Sequence, residues 1–422
     1  MVLVQRFQEQ IKEFQVFSQK VAKVAKLFSS PPYVKVGTAP KEVVYEDGKV
    51  RLLHYKPTAN EPYPVPLLIV YALINKPYIL DLQPERSVIR HLLNEGFDVY
   101  LIDWGTPTDS DKYLTMDDYV NWYISDMVDY IRAKHDIDSI SLMGYCMGGV
   151  LSAMYTALHP QKVRNFITMA AGLDLGDDPG LLKQWARKEF FDVDKLVDTV
   201  GNVPADFINF GYQLLDPVGN MYSKYAGFAD KVDNEKFVKM FFRMEKWVSD
   251  GIPVAGEVYR EYIKELYQNN KLIRNELRLG GKKVDLGNIT MPVLSIIGQY
   301  DHLVPPQTSR TFNDHISSKD KDRIIFPTGH IGLSVSSATH AKMWPQVTNW
   351  LKERSKDEHV QKATVKPTEH KVVKKRSKPK AAKKASKTKT IKTTAKSKTT
   401  QNTSKPKPVK KASKPKKKAI RK

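Results

Sequence analysis

A glycine-flanked cysteine has the clearest capacity for chemistry in this sequence. Cys146, the only cysteine among 422 residues, stands at the centre of the pentapeptide 144–148 (Gly-Tyr-Cys-Met-Gly). The apolar segment 139–143 before it is short enough for a buried strand, and residues 149–155 after it indicate the start of a helix. A tight turn between a strand and a helix exposes a nucleophile on a strained backbone, and small residues are needed on both sides. We therefore predict that Cys146 is a nucleophile rather than a small buried apolar side chain.

A thiol nucleophile needs a base, and the base needs an acid that orients it. Of the ten histidines, His330 alone lies in a glycine-flanked loop after the segment predicted as the last core strand. Asp301 comes directly after the preceding core strand. The chain order of nucleophile, acid and histidine is that of the α/β-hydrolases. The sequence thus predicts a catalytic set of Cys146, Asp301 and His330.

Other residues are alternatives for the acid and the base. Asp301 could be a plain turn residue, and two rival acids also follow predicted strands, Asp103 and Asp174. Three histidines lack the glycine-flanked position and are interpreted as surface or packing residues: His91, His159 and His302.

Two backbone N–H groups are expected to stabilise the negative oxygen of a tetrahedral intermediate. One belongs to Met147, the residue after the nucleophile, and the other to the loop at Leu73-Ile74, with Ile74 preferred. A cysteine in place of serine favours thioester substrates, because exchange of one thioester for another is nearly balanced and the acyl group can be passed on. The sequence identifies no further substrate-binding residue, and we expect neither a metal nor a cofactor.

Alternating apolar strands and helices must position these residues. Helices are predicted at 85–94, 116–133 and 341–353, and strands at 50–55, 66–72, 97–102, 139–143, 166–171, 292–298 and 323–326. The pattern predicts a parallel, doubly wound sheet of the α/β-hydrolase type. Ligands bind such sheets at the carboxyl ends of the strands, where Cys146 would lie.

The alternation stops between about residues 174 and 288. We predict that this segment is a mostly helical cap whose aromatic side chains exclude water from the site. The alternative is a second packing layer with no gating role. The aromatic residues are Trp185, Phe190, Phe191, Phe207, Phe210, Tyr212, Tyr222, Tyr225, Phe241, Phe242, Trp247, Tyr259, Tyr262 and Tyr267.

The two ends of the chain differ from the body in composition. Residues 2–28 have apolar side chains at helical spacing, which predicts an amphipathic helix that clamps onto the body or docks a partner or a hydrophobic surface. Residues 361–422 hold 25 Lys and Arg against one acid, whereas the rest holds 43 basic and 45 acidic residues. We predict an N-terminal helix (1–30), a catalytic domain (31–354) and a disordered Lys-rich tail (355–422).

Composition also indicates the cellular compartment in which the protein is expected. A single cysteine allows no intrachain disulfide, which favours a reducing environment. The sequence has no run of 18 or more apolar residues and no signal segment, so we expect a cytoplasmic protein.

The chain resembles the polyhydroxyalkanoate synthases of the short, two-subunit type (class III, or the related class IV). The resemblance covers about residues 35–354 and rests on long strings: 70–82, 96–105, 144–149, 266–272, 301–306 and 327–330. It implies polymerisation of (R)-3-hydroxyacyl-CoA, typically 3-hydroxybutyryl-CoA, into polyester with release of CoA. By position, Cys146 would hold the acyl group, His330 would be its base, and Asp301 would support His330 and the incoming 3-hydroxyl.

The resemblance also implies partners. Such synthases work with a smaller second subunit, form a homodimer or a larger assembly, and attach to the surface of polymer granules. They generally lack a basic tail, so we hypothesise that the tail binds DNA or another polyanion, or instead forms a solubilising brush. Competing functions are a thioesterase or esterase of the same fold, and a granule- or nucleoid-associated binding protein.

Overall fold

A computed structural model describes residues 2–59, 61–176 and 179–356. The predicted Lys-rich tail lies outside the described residues except for Ser355 and Lys356. Ser355, the first residue assigned to that tail, is fully buried.

An eight-stranded sheet forms the centre of the described chain, with the strand order β1-β2-β4-β3-β5-β6-β9-β10. Strands β3 to β6, β9 and β10 are parallel, whereas β1 and β2 form an antiparallel edge. The strands are β1 Glu42–Asp47, β2 Val50–Tyr55, β3 Leu67–Val70, β4 Val99–Asp103, β5 Ile140–Tyr145, β6 Val163–Met169, β7 Arg278–Leu279, β8 Lys282–Lys283, β9 Val293–Gly298 and β10 Lys321–Phe326. The sequence analysis missed β1 and therefore this antiparallel edge.

Helices cover the sheet, and every residue of β3, β5 and β9 is buried. This explains their continuous apolar runs, since a strand covered on both faces cannot alternate with polar residues. The α-helices are α1 Val2–Ser29, α2 Val88–Asn94, α3 Ser125–His135, α4 Met147–Leu158, α5 Leu181–Trp185, α6 Val193–Val200, α7 Ala205–Gln213, α8 Lys224–Asp230, α9 Glu235–Ser249, α10 Gly256–Glu261, α11 Pro306–Arg310, α12 Gly332–Val335 and α13 Trp344–Arg354. Wider π-helical turns precede α3, α8 and α13 and follow α10: Asp118–Ile124, Gly219–Ser223, Thr339–Met343 and Tyr262–Gln268.

Helices α5 to α10 lie between β6 and β9 and form the segment that we call the cap. The short hairpin β7–β8 near its end was not predicted. Part of the cap has its own apolar cluster, separate from the main core: Phe228, Val232, Val238, Phe241 and Phe242. The cap therefore has internal packing in addition to its contacts with the body.

The amphipathic helix α1 contacts this cap cluster only through its last turns. The Phe28 ring lies 5.5 Å from that of Phe228, and Lys23 pairs with Asp233 at 2.6 Å. Toward the other end of α1, the side chains of Phe7 and Phe14 are 63% and 70% exposed. The C-terminal end of α1 thus packs against the cap, whereas a docking face on the exposed part of the helix stays a prediction. Among the described residues, no helix combines the length and apolar character that crossing a bilayer requires.

Candidate active site

Cys146 lies on a strained turn between β5 and α4. Its φ and ψ are 57° and −126°, a region that a residue with a side chain occupies only when its surroundings enforce it. The Cys146 N–H donates to the Met169 carbonyl at 2.9 Å, and the Cys146 carbonyl accepts from the Gly149 N–H at 2.9 Å. The backbone is therefore fixed on both sides of the sulfur.

The flanking glycines are required by close backbone contacts. A Cβ atom at Gly148 would lie 2.1 Å from the Val70 carbonyl oxygen, and one at Gly144 would lie 2.4 Å from the Gly149 Cα. Helix α4 can thus start directly against strands β3 and β5. This is the physical reason for the Gly-x-Cys-x-Gly pattern.

The structure brings His330 and Asp301 together. The His330 Nδ1 atom is 2.7 Å from Asp301 Oδ2, and an ionised carboxylate there requires Nδ1–H to donate. The other oxygen, Oδ1, accepts from the backbone N–H groups of Leu303 at 2.9 Å and Val304 at 2.8 Å. Asp301 is 4% exposed and His330 is 9% exposed, so this pair is shielded from bulk water.

The charges around His330 favour its protonated form. Burial by itself lowers the pKa of His330, but Asp301, with smaller contributions from Tyr145 and Cys146, outweighs burial and raises the pKa well above 6.5. His330 is therefore suited to hold the proton of a thiol.

Tyr145 supports His330 in a way that the sequence analysis missed. Its hydroxyl donates to the His330 carbonyl oxygen at 3.0 Å, and the two rings stack with centroids 5.3 Å apart. The only available signal was its place next to the nucleophile, which pointed to a strand residue and not to a contact 185 positions away.

The rival acids and histidines serve other contacts. Asp103 accepts from Arg51 at 3.1 Å. Asp174 accepts from Asn270 at 2.9 Å and from Thr311 at 3.0 Å, which ties the start of the cap segment to the core. Among the histidines considered as bases, His159 lies 2.9 Å from the Asn121 side chain, and burial lowers the pKa of His159 to about 4. The remaining two also do not pair with Asp301: His91, whose pKa burial lowers, and His302, which is exposed.

Met147 and Ile74 both line the cavity that contains Cys146. The Met147 N–H begins helix α4 and so has no acceptor within the helix. The loop after Ile74 turns through a left-handed residue, Asn75, with φ 64°. Trp247 of the cap helix α9 holds this loop, since its Nε1–H donates to the Lys76 carbonyl at 2.9 Å and its own carbonyl accepts from Asn75 at 3.4 Å.

The cavity has a volume of about 370 Å³ and is mainly apolar. Eight of the fourteen predicted cap aromatics line it: Trp185, Phe191, Phe207, Phe210, Tyr212, Tyr259, Tyr262 and Tyr267. The prediction that aromatic residues wall the site is wrong for the other six, because their side chains lie on the cap surface, in its separate cluster or against the loop at 75–76: Phe190, Tyr222, Tyr225, Phe241, Phe242 and Trp247. Within the described residues, no three His, Cys, Asp or Glu side chains are grouped to hold a metal ion.

Comparison with known proteins agrees with this geometry. Residues 65–336 match the family described as alpha/beta hydrolase fold, and residues 33–92 match the poly-beta-hydroxybutyrate polymerase (PhaC) N-terminus. A soluble variant of monoglyceride lipase from Saccharomyces cerevisiae superposes with a TM-score of 0.51 at 14% identity, covering 77% of this chain and 98% of the lipase. This likeness shows the fold alone.

Closer similarity comes from curated relatives. The poly(3-hydroxyalkanoate) polymerase subunit PhaC of Haloferax mediterranei is 54% identical over 322 residues, which cover 76% of this chain and 65% of that relative. The chain thus spans just under two thirds of the Haloferax protein. The subunit PhaC of Allochromatium vinosum is 44% identical over 80% of this chain and 95% of its own length. The chain therefore belongs to the family of poly(3-hydroxyalkanoate) polymerase PhaC subunits and has the α/β-hydrolase fold.

Proposed function

We propose that this chain polymerises (R)-3-hydroxyacyl-CoA, typically 3-hydroxybutyryl-CoA, into polyhydroxyalkanoate with release of CoA. The observations that carry the proposal are a cysteine held on a strained turn in the lining of an apolar cavity, and a buried His330–Asp301 pair whose side chains lie 2.7 Å apart. Membership of the polymerase family supports the same activity.

In the first step, the acyl group moves from CoA to Cys146. His330 takes the thiol proton, and the sulfur attacks the thioester carbon of the substrate. The N–H groups of Met147 and Ile74 stabilise the negative oxygen that forms. The bond between carbon and the CoA sulfur then breaks, and CoA leaves as a thiol with the proton from His330.

In the second step, the 3-hydroxyl of another hydroxyacyl-CoA is the acceptor. His330, supported by Asp301, removes the hydroxyl proton, and the oxygen attacks the thioester carbon on Cys146. An ester C–O bond forms, the C–S bond to Cys146 breaks, and the proton returns to the sulfur. The lengthened CoA thioester then acylates Cys146 again and releases CoA. The apolar cavity favours this acceptor over water.

The competing function is hydrolysis by a thioesterase or esterase of the same fold. Both activities release CoA, but only the synthase turns the acyl groups into insoluble polymer. The purified chain is incubated with 3-hydroxybutyryl-CoA, with and without a candidate second subunit, while free thiol and turbidity are followed together. We expect both signals to rise, and free hydroxy acid without turbidity would identify a hydrolase instead.

The matched control for this assay is Cys146→Ala, which removes the thiol and leaves a side chain small enough for the turn. Loss of a catalytic nucleophile lowers kcat by about 10⁶-fold in a comparable triad. We expect no CoA release above background from the variant. Continued release at the wild-type rate would show that Cys146 is not the acyl carrier.

The partners implied by the family stay predictions. These are a smaller second synthase subunit, a homodimer or larger assembly, and the polymer granule surface, to which a cytoplasmic enzyme would attach. Binding of DNA or another polyanion, and a role as a granule- or nucleoid-associated protein, depend on the tail, which lies outside the described residues apart from Ser355 and Lys356.

A further inference from the structure

Phenol groups interrupt the otherwise apolar lining of the cavity. Four tyrosines line it, all from the cap: Tyr212, Tyr259, Tyr262 and Tyr267. Tyr212 lies on α7, whereas Tyr262 begins the π-helical turn after α10. These two come from separate cap elements and share the cavity with Cys146.

The hydroxyls of Tyr212 and Tyr262 make no hydrogen bond to any residue that the structure describes, and neither oxygen belongs to the fully buried unpaired atoms, so both are accessible from the cavity. Buried tyrosine hydroxyls generally have a partner, because an unsatisfied polar group in an apolar environment costs free energy. Thr308, another polar residue of the lining, already donates to the Pro305 carbonyl at 2.8 Å. The two phenols are therefore free to donate to a molecule that enters the cavity.

Both phenols share the cavity with the Cys146 sulfur. Burial raises the pKa of Tyr212 and of Tyr262 well above 10, and the charge of Cys146 contributes to each increase. Burial alone raises the pKa of Tyr259 to about 12, with no contribution from Cys146. Tyr212 and Tyr262 thus stay protonated at neutral pH and are hydrogen-bond donors close to the acyl carrier.

We propose that Tyr212 and Tyr262 bind the 3-oxygen of the acyl group held on Cys146 and so select 3-hydroxyacyl thioesters over unsubstituted acyl thioesters. This inference rests on the proposed function. The 3-oxygen accepts hydrogen bonds as a free hydroxyl and also as the ester oxygen of a growing chain, so the same donors serve both states. An unsubstituted acyl chain leaves both donors unpaired, which disfavours it.

The test compares 3-hydroxybutyryl-CoA with butyryl-CoA in single-turnover acylation of Cys146, read as the first equivalent of released CoA. Wild type is expected to prefer the hydroxyacyl thioester. Tyr212→Phe and Tyr262→Phe are each expected to reduce that preference about tenfold, mainly by slowing acylation of Cys146 by the hydroxyacyl thioester. In Tyr259→Phe, the matched change at a cavity tyrosine without the Cys146 interaction, the preference is expected to stay as in wild type.

The outcomes separate this inference from the proposed function. If wild type releases CoA from neither thioester, the proposed function fails and the inference fails with it. If wild type acylates equally fast with both, or if the two variants slow both thioesters by the same factor, the function stands and the selection by Tyr212 and Tyr262 is overturned.

Discussion

The turn that holds Cys146 and the cap that faces it enclose one cavity but tolerate change very differently. On the turn, a single added Cβ at Gly148 would overlap the Val70 carbonyl. In the cap, a Cβ at Gly227 of α8 meets no atom within 4 Å, and Tyr222 before this helix is 72% exposed. The turn is thus fixed by backbone contacts, whereas α8 of the cap and Gly211 of the cavity lining have room for an added methyl group.

The largest expected effect comes from adding one methyl group, by a Gly→Ala substitution, to the turn and, for comparison, to the cap. Gly148→Ala is expected to abolish activity and to lower the free energy of unfolding by several kcal/mol, because the added Cβ forces α4 away from β3. Gly227→Ala is expected to raise it by about 0.5–1 kcal/mol, since alanine favours a helix. Urea unfolding of both variants measures the difference, and equal midpoints would remove the contrast between the two regions.

The next effect tests which acid supports His330. Asp301→Asn is expected to lower kcat by about 10⁴-fold, because the imidazole loses its orienting charge. Asp174→Asn, a matched change at an acid that binds Asn270 and Thr311 instead, is expected to affect stability more than kcat. Steady-state rates of CoA release measure both effects. A larger loss of kcat in Asp174→Asn than in Asp301→Asn would make Asp174 the orienting acid.

The same variant has a pH signature. The folded-state pKa of His330 is raised above 6.5, so its protonation stabilises the fold fully below that pH and this contribution is lost as the pH rises through the raised pKa. The stability difference between wild type and Asp301→Asn should therefore be larger at about pH 6 than at about pH 9. A difference independent of pH would show that Asp301 does not raise this pKa.

The smallest effect concerns the contact between the cap and the body. Glu261 of α10 accepts from the Met116 N–H at 2.6 Å, and burial, with neighbouring acids, raises the pKa of Glu261 from 4.5 to about 7. Because the folded pKa is raised, wild type loses stability as the pH rises from about 4.5 through about 7. Glu261→Gln keeps an acceptor for Met116 but cannot ionise, so its stability relative to wild type should increase over this range. Thermal midpoints at several pH values measure this, and parallel curves would contradict it.

The contrast between the two regions also explains what the sequence could predict. The sequence located Cys146 and its turn because the local glycine pattern is required by local backbone contacts. It also predicted the chain order that the structure brings together as the His330–Asp301 pair, since the loops after parallel strands meet at one edge of the sheet. The antiparallel strand β1 was missed because none of its residues is buried, so its apolar pattern is weak.

Contacts in the cap were predicted less well, because amino-acid composition does not determine which way each side chain points. A run of aromatic residues predicted a wall around the site, but Phe241 and Phe242 pack into a separate cluster. The contact of Tyr145 with the His330 carbonyl joins positions far apart in the chain, and no local pattern indicates it.

Trp247 links the cap to the loop after β3. It belongs to the cap, yet its indole and its carbonyl hold residues 75–76, directly after Ile74, whose N–H we propose as a donor to the negative oxygen. An outward displacement of α9 would break both contacts and release this loop. If Cys146 and the Ile74 N–H act as we propose, water admitted by such an opening would meet a site with one of its two donors out of place. Hydrolysis would then be slowest when the cavity is most open to solvent.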